Sequence, residues 1–155
     1  MGAKSFLLTG DLAVINPSLS NGKAVLVAPC NGLLKGSSSS SDNSRIICVK
    51  GDEEKILFVP VPYMITIPKP GNVPGTPGMV LCKVKELHSS HISTLATAQN
   101  IKILYIGSDK FTVEFQVIAP ATEVTPLGVP IPDSTVKYSG TGIFKEISSH
   151  HAEEK

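Results

Sequence analysis

Two groups of side chains in this sequence have the types and spacing for chemistry. Gly51-Asp52-Glu53-Glu54 gathers three carboxylates between the apolar runs 46–49 and 56–59. Such a cluster could hold a divalent cation or move a proton, but either task needs oxygens that converge on one point. Carboxylates on consecutive residues of a tight turn diverge, so the expected role of this apex is a solvated chain reversal. His88 and His91, three residues apart, would share one face of a helix and could ligate a metal there. A site needs a third ligand. Cys82 and Glu86 are near in sequence, whereas His150 and His151 stand in the C-terminal tail. A metal-binding domain or metal-dependent enzyme on His88 and His91 is therefore the alternative reading, and ordinary polar histidines are the leading one.

No other arrangement announces a reaction. There is no GxSxG elbow for an activated serine, and no GxGxxG or GxxxxGK[ST] loop to cradle a phosphate. Gly140-Thr141-Gly142 alone reads as a turn before a last strand. Cys30, Cys48 and Cys82 are odd in number and lack CxxC spacing, which argues against a disulfide framework and a zinc site and for small buried groups in a reducing compartment. The expectation is a chain with no cofactor and more fitted to binding than to catalysis.

Composition narrows the partners. Charged residues make up 17% of the 155, with 14 basic against 13 acidic groups, so the chain has no electrostatic footprint for nucleic acid. No run reaches the roughly 18 uncharged apolar residues that span a bilayer, and the apolar stretch before Asp11 is too short for an export signal. The implied setting is the cytoplasm, or a particle assembled there, with a protein partner or self-association and neither nucleic acid nor membrane.

The elements that must position these groups are strands. Phe111, Val113, Phe115 and Val117 alternate with Thr112, Glu114 and Gln116, the period of a strand with one buried face. Similar runs lie at 5–8, 12–15, 24–28, 45–49, 55–59, 80–87, 101–106 and 142–147. Asn21-Gly22 marks a tight hairpin turn. LLTGDLAVINP, ICVKGDEEKILFVP and LYIGSDKFTVEFQVIAP each place Gly near Asp between apolar runs that end on Pro, as hairpin apices do. The only place for a helix is 88–99. Six prolines in 59–78, with a second proline-rich stretch at 120–132, exclude a central strand there and leave stiff extended chain. The serine run 36–44 reads as a mobile loop. The predicted fold is thus a single all-β domain over 1–148, an antiparallel sandwich or partly open barrel with long Pro-rich loops, followed by a flexible polar tail, 149–155.

Stiff apolar loops lose little entropy when a partner covers them. The expected partner surface is Tyr63, Ile65, Ile67, Leu127 and Val129, from the two Pro-rich stretches. A small-ligand carrier with a barrel cavity is a further alternative.

Gly22-Lys23-Ala24-Val25, Cys48-Val49-Lys50-Gly51-Asp52-Glu53 and Pro74-Gly75-Thr76-Pro77-Gly78 together give the chain a pattern that resembles the PAAR-like tip proteins of phage tails and contractile injection systems. The likeness covers about the first 80 residues and part of the strand pair after Ile101. The Pro-Ala-Ala-Arg signature is absent and the paired His and Cys ligands of the zinc-binding members have no counterparts, so no site residue is carried over. What the resemblance implies is a non-enzymatic component that docks on a trimeric spike or within a particle.

Overall fold

The computed structural model describes residues 4–42, 44–98, 101–146 and 153–154. Eight strands form one antiparallel sheet: β1 (Leu12–Ile15), β2 (Ser18–Leu19), β3 (Ala24–Leu26), β4 (Asn31–Leu33), β5 (Val61–Ile65), β6 (Gly78–Glu86), β7 (Phe111–Ala119) and β8 (Lys137–Lys145). Their order across the sheet is β2-β3-β5-β6-β7-β8-β1-β4. The sheet curls on itself. After β1 pairs with the second half of β8, the chain bends at Pro17 and continues along the first half. There Asn16 N–H donates to the Thr141 carbonyl at 2.9 Å and Ser20 N–H to the Ser139 carbonyl at 2.8 Å. Those bonds bring β2, at one end of the sheet, against β8, so that the sheet is a partly open barrel and the all-β expectation stands.

Alternation sets the inner face. On β7, Phe111, Val113 and Phe115 are buried while Thr112 and Gln116 are exposed, and on β6 Val80, Cys82 and Val84 are buried. The barrel interior is filled by these side chains with Leu19, Tyr63 and Tyr138. Gly140 and Gly142 lie inside β8 and are not a turn before it. A Cβ on Gly142 would come within 2.8 Å of the Phe111 ring, so the glycine is what lets that ring lie flat on the strand. All three cysteines are buried and free.

Turn chemistry follows the sequence where glycine is the signal. Asn21 and Gly22 take φ of 60° and 88° between β2 and β3, and Gly51 takes 110° at the acidic apex. The apex itself is not solvated. Asp52 and Glu53 are buried in a 3-10 turn, Asp52–Lys55. Asp52 accepts hydrogen bonds from Val49 N–H at 2.8 Å and from the Ser37 hydroxyl at 2.6 Å; Glu53 accepts from Gly51 N–H at 2.7 Å and pairs with Lys50. These carboxylates replace the missing backbone acceptors of a turn folded under the barrel, and this displaces the strand expected at 55–59, of which only the Leu33–Leu57 bridge forms. The same bonds order the serine run: Ser37 is tied to Asp52, and buried Ser38 donates to the Ile47 carbonyl at 2.7 Å. One backbone and one side-chain acceptor, 9 and 15 residues away, thus offset the ordering entropy that composition alone would leave uncompensated.

Pro62 sits in β5, a central strand, contrary to the reading that prolines exclude one. Its carbonyl accepts from Val27 N–H at 3.0 Å. The N–H and C=O of one strand residue point to the same edge, so the missing donor falls just where the neighbouring β3 has ended at Leu26. The rest of the Pro-rich chain forms a small sheet, with Thr122–Val124 between Pro130–Pro132 and Val73–Pro74. The helix expected at 88–99 is a 3-10 turn, Ser89–His91, followed by strand Ile92–Ala98, which pairs with Ile101–Leu104 as an outer hairpin. Its β-branched Ile92, Thr94 and Thr97 suit a pleated surface better than a helix. A second small core, Leu8, Ile47, Val49, Ala98 and Ile103, lies beneath that hairpin. Glu153–Glu154 pair with Lys4–Ser5, and the remainder of the expected tail lies outside the described residues.

One buried ion pair staples the first turn. Asp11, fully buried, accepts from Leu8 N–H at 2.8 Å and from Arg45 at 2.7 Å, and Arg45 also donates to the Thr9 carbonyl at 2.8 Å. Arg45→Met removes the cation from a desolvated carboxylate. Since Arg45 is partly exposed, the lower end of the range for such losses applies, about 3 kcal/mol. A thermal melt should show a midpoint lower by about 10 °C.

Candidate docking site

A groove of about 430 Å³ opens where the β2–β3 hairpin, the chain after β5 and the segment before β8 meet. Its walls carry Lys23, Ile65, Ile67, Lys69, Ile131 and Tyr138. The floor is a hydrogen-bonded cluster. Tyr63 and Tyr138 both donate to Asp133 Oδ2, at 2.7 and 2.5 Å, and Thr135 N–H donates to Asp133 Oδ1 at 3.0 Å. The Tyr63 oxygen in turn accepts from Ala121 N–H at 3.0 Å. The two rings pack with centroids 5.6 Å apart. Asp133 thereby pins the loop before β8 to the middle of β5, and fixes the groove's shape.

Both phenols are held in their neutral, donating form. Burial pushes the Tyr138 hydroxyl up to about 12 from 10.0, helped by the hydrogen bond it donates to the Asp133 carboxylate, and burial raises Tyr63 as well. A group that holds its proton more tightly when folded stabilises the fold fully below its unfolded value and loses that contribution as pH rises through the folded one. The melting temperature should therefore fall between about pH 10 and 12. Tyr138→Phe should flatten that decline, as followed by circular dichroism.

The groove separates the residues expected to form a partner surface. Tyr63, 0% exposed, and Ile65, 7%, belong to the core, and of the two only Ile65 reaches the groove wall. β5 is a central strand whose alternation turns Val61, Tyr63 and Ile65 inward, which proline content concealed. Ile67, just past the strand, is 67% exposed on the groove wall. Leu127, 91% exposed, and Val129 project from the connection between Thr122–Val124 and Pro130–Pro132. That connection is stiff: Thr125 N–H donates to the Val129 carbonyl at 3.0 Å, and the Thr125 hydroxyl accepts from Val129 N–H at 3.1 Å. The small sheet meets the groove through Glu123, which accepts from Asn72 Nδ2 at 2.6 Å, and Ile131. Sequence reasoning misses Asp133 and Glu123; Asp133, between Pro132 and Ser134, carries only the signal of a turn.

The histidines do not converge. His88 is turned outward, its Nε2 3.3 Å from Asp109 and its Nδ1 accepting from Ser90 N–H at 3.0 Å. His91 is turned inward, with Nδ1 2.9 Å from the Ile106 carbonyl. Among the described residues no three His, Cys, Asp or Glu side chains gather as a metal would require. His150 and His151 lie outside them. No helix among the described residues is long and apolar enough to cross a membrane.

No curated protein matches the sequence. A family model described as contractile injection system spike tip protein matches residues 1–153.

Proposed function

Because the chain belongs to the contractile injection system spike tip family and is a structural component of such a particle, we propose that it seats on the particle's spike through the rim formed by Ile67, Leu127 and Val129. The family match over nearly the whole chain carries this reading. The geometry supports the choice of rim: the three side chains are exposed, apolar and mounted on chain stiffened by proline and by hydrogen bonds, so covering them costs little ordering entropy. Assembly of the particle in the cytoplasm accords with three free cysteines. A near-neutral charge gives no basis for a nucleic-acid partner.

Co-expression of the untagged chain with an affinity-tagged spike subunit of the same particle tests the reading. Co-elution through size exclusion at a fixed stoichiometry is expected. A chain that elutes alone while the spike subunit is assembled would overturn it.

A further inference from the structure

We propose that His91 is an acid-sensitive latch that fastens the outer hairpin, Ile92–Ala98 with Ile101–Leu104, to the barrel. The ring is fully buried at the point where the hairpin leaves the 3-10 turn. Nδ1–H donates to the Ile106 carbonyl at 2.9 Å, which leaves the lone pair on Nε2, and Nε2 is buried with no hydrogen-bond partner. The imidazole stands edge-on to Phe144 of β8 at 5.0 Å and to Phe111 of β7 at 5.9 Å. Backbone bonds extend the latch: the His91 carbonyl accepts from Tyr105 N–H at 2.8 Å, and His91 N–H donates to the His88 carbonyl at 3.0 Å. The ring cannot back away, since Gly107 lies so close that a Cβ there would be 2.2 Å from Nδ1.

A neutral imidazole fits this slot because the orphaned atom is a single lone pair among aromatic carbons. Protonation converts Nε2 into a charged donor with no acceptor in reach, which is costly in a buried apolar site. The backbone groups of Ile106, Tyr105 and Asp109 favour the cation, but burial outweighs them. His88, which caps the 3-10 turn, faces the ring edge-on at 6.4 Å, and its charge opposes one on His91. Asp109 is engaged with His88 at 3.3 Å. Strands β7 and β8 present Phe111 and Phe144 to the ring, while their neighbours Lys110 and Lys145 are exposed. Burial accordingly holds the imidazole below its ordinary 6.5. A depressed basic group stabilises the fold above its unfolded value and ceases to do so as pH falls through the folded one. Acid therefore loosens the seam between hairpin and barrel before the rest of the fold, so opening is local.

The test is amide hydrogen exchange on the intact chain at pH 7.5 and pH 5, corrected for intrinsic rates, with the His91 ring titrated by NMR. The expected result is a loss of protection at Ile103 and Leu104 at least about tenfold greater than at Phe115–Val117 of β7, with a ring midpoint below 6.5. His91→Phe should abolish the difference. His88→Asn, which keeps the latch should the first variant fail to fold, should preserve it. Equal losses in hairpin and barrel, a midpoint at or above 6.5, or a difference that disappears in His88→Asn would overturn the proposal.

Discussion

Tyr63→Ser should yield a chain that fails to fold, with strand signal lost from far-UV circular dichroism and no cooperative melt. The ring is fully buried in a central strand, packed on Tyr138, and its oxygen joins Ala121 N–H to Asp133. Removing a buried aromatic ring costs about 3–5 kcal/mol through lost transfer energy and the cavity left behind. Leaving the Ala121 N–H and the Asp133 carboxylate each short of a partner adds about 1–3 kcal/mol. The sum rivals the whole stability of an ordinary domain, about 5–15 kcal/mol. Ile65→Ser, in the same strand and equally inward, should act in the same direction with a smaller effect. Tyr63→Phe separates the two contributions. It keeps the ring and removes the oxygen, and should fold with a midpoint lower by about 2–10 °C, from a loss of about 1–3 kcal/mol. A Tyr63→Ser chain that melts like the unaltered one would show that β5 does not bury this ring.

The period-two alternation that places Phe111, Val113 and Phe115 in the barrel is legible because burial on one face of a strand writes itself directly into residue order. Gly22 and Gly51 are legible for a similar reason: a positive φ leaves few residues to choose from. What stays hidden depends on partners distant in sequence. Nothing near Asp52 tells that Ser37 will donate to it and draw it under the barrel. Nothing near Pro62 tells that β3 stops opposite its missing N–H. Tyr63 reads as surface because prolines flank it, whereas its burial is decided by Ala121 and Asp133, 58 and 70 residues away. The candidate site is thus half readable. Exposed Ile67, Leu127 and Val129 stand on loops whose stiffness composition reveals, while the cluster that shapes the groove exists only after folding.

Ile67→Asp, Leu127→Asp and Val129→Asp in one chain should cut association with the spike at least about a hundredfold while leaving the melting temperature within about 2 °C of the unaltered protein. The three side chains are already exposed, so a carboxylate at each meets water in the free chain, and surface changes of this sort usually stay within about 0.5 kcal/mol. Covered by a partner, the same carboxylates must shed water, and the apolar anchors are gone as well. Truncating an interface anchor commonly costs about 2 kcal/mol or more, and each 1.4 kcal/mol is about tenfold in Kd, so two effective positions of the three suffice for the predicted loss. Leu57→Asp is the matched control. Leu57 is 88% exposed and pairs with Leu33 of β4 at the other end of the sheet order from β2, whose hairpin flanks the groove. Titration against immobilised spike subunit, with a melt on the same sample, reads both quantities. Normal binding by the triple variant would remove the rim from the interface. Lost binding in Leu57→Asp would move the interface to the outward face of β4, because a charge can disrupt docking only where the partner excludes water.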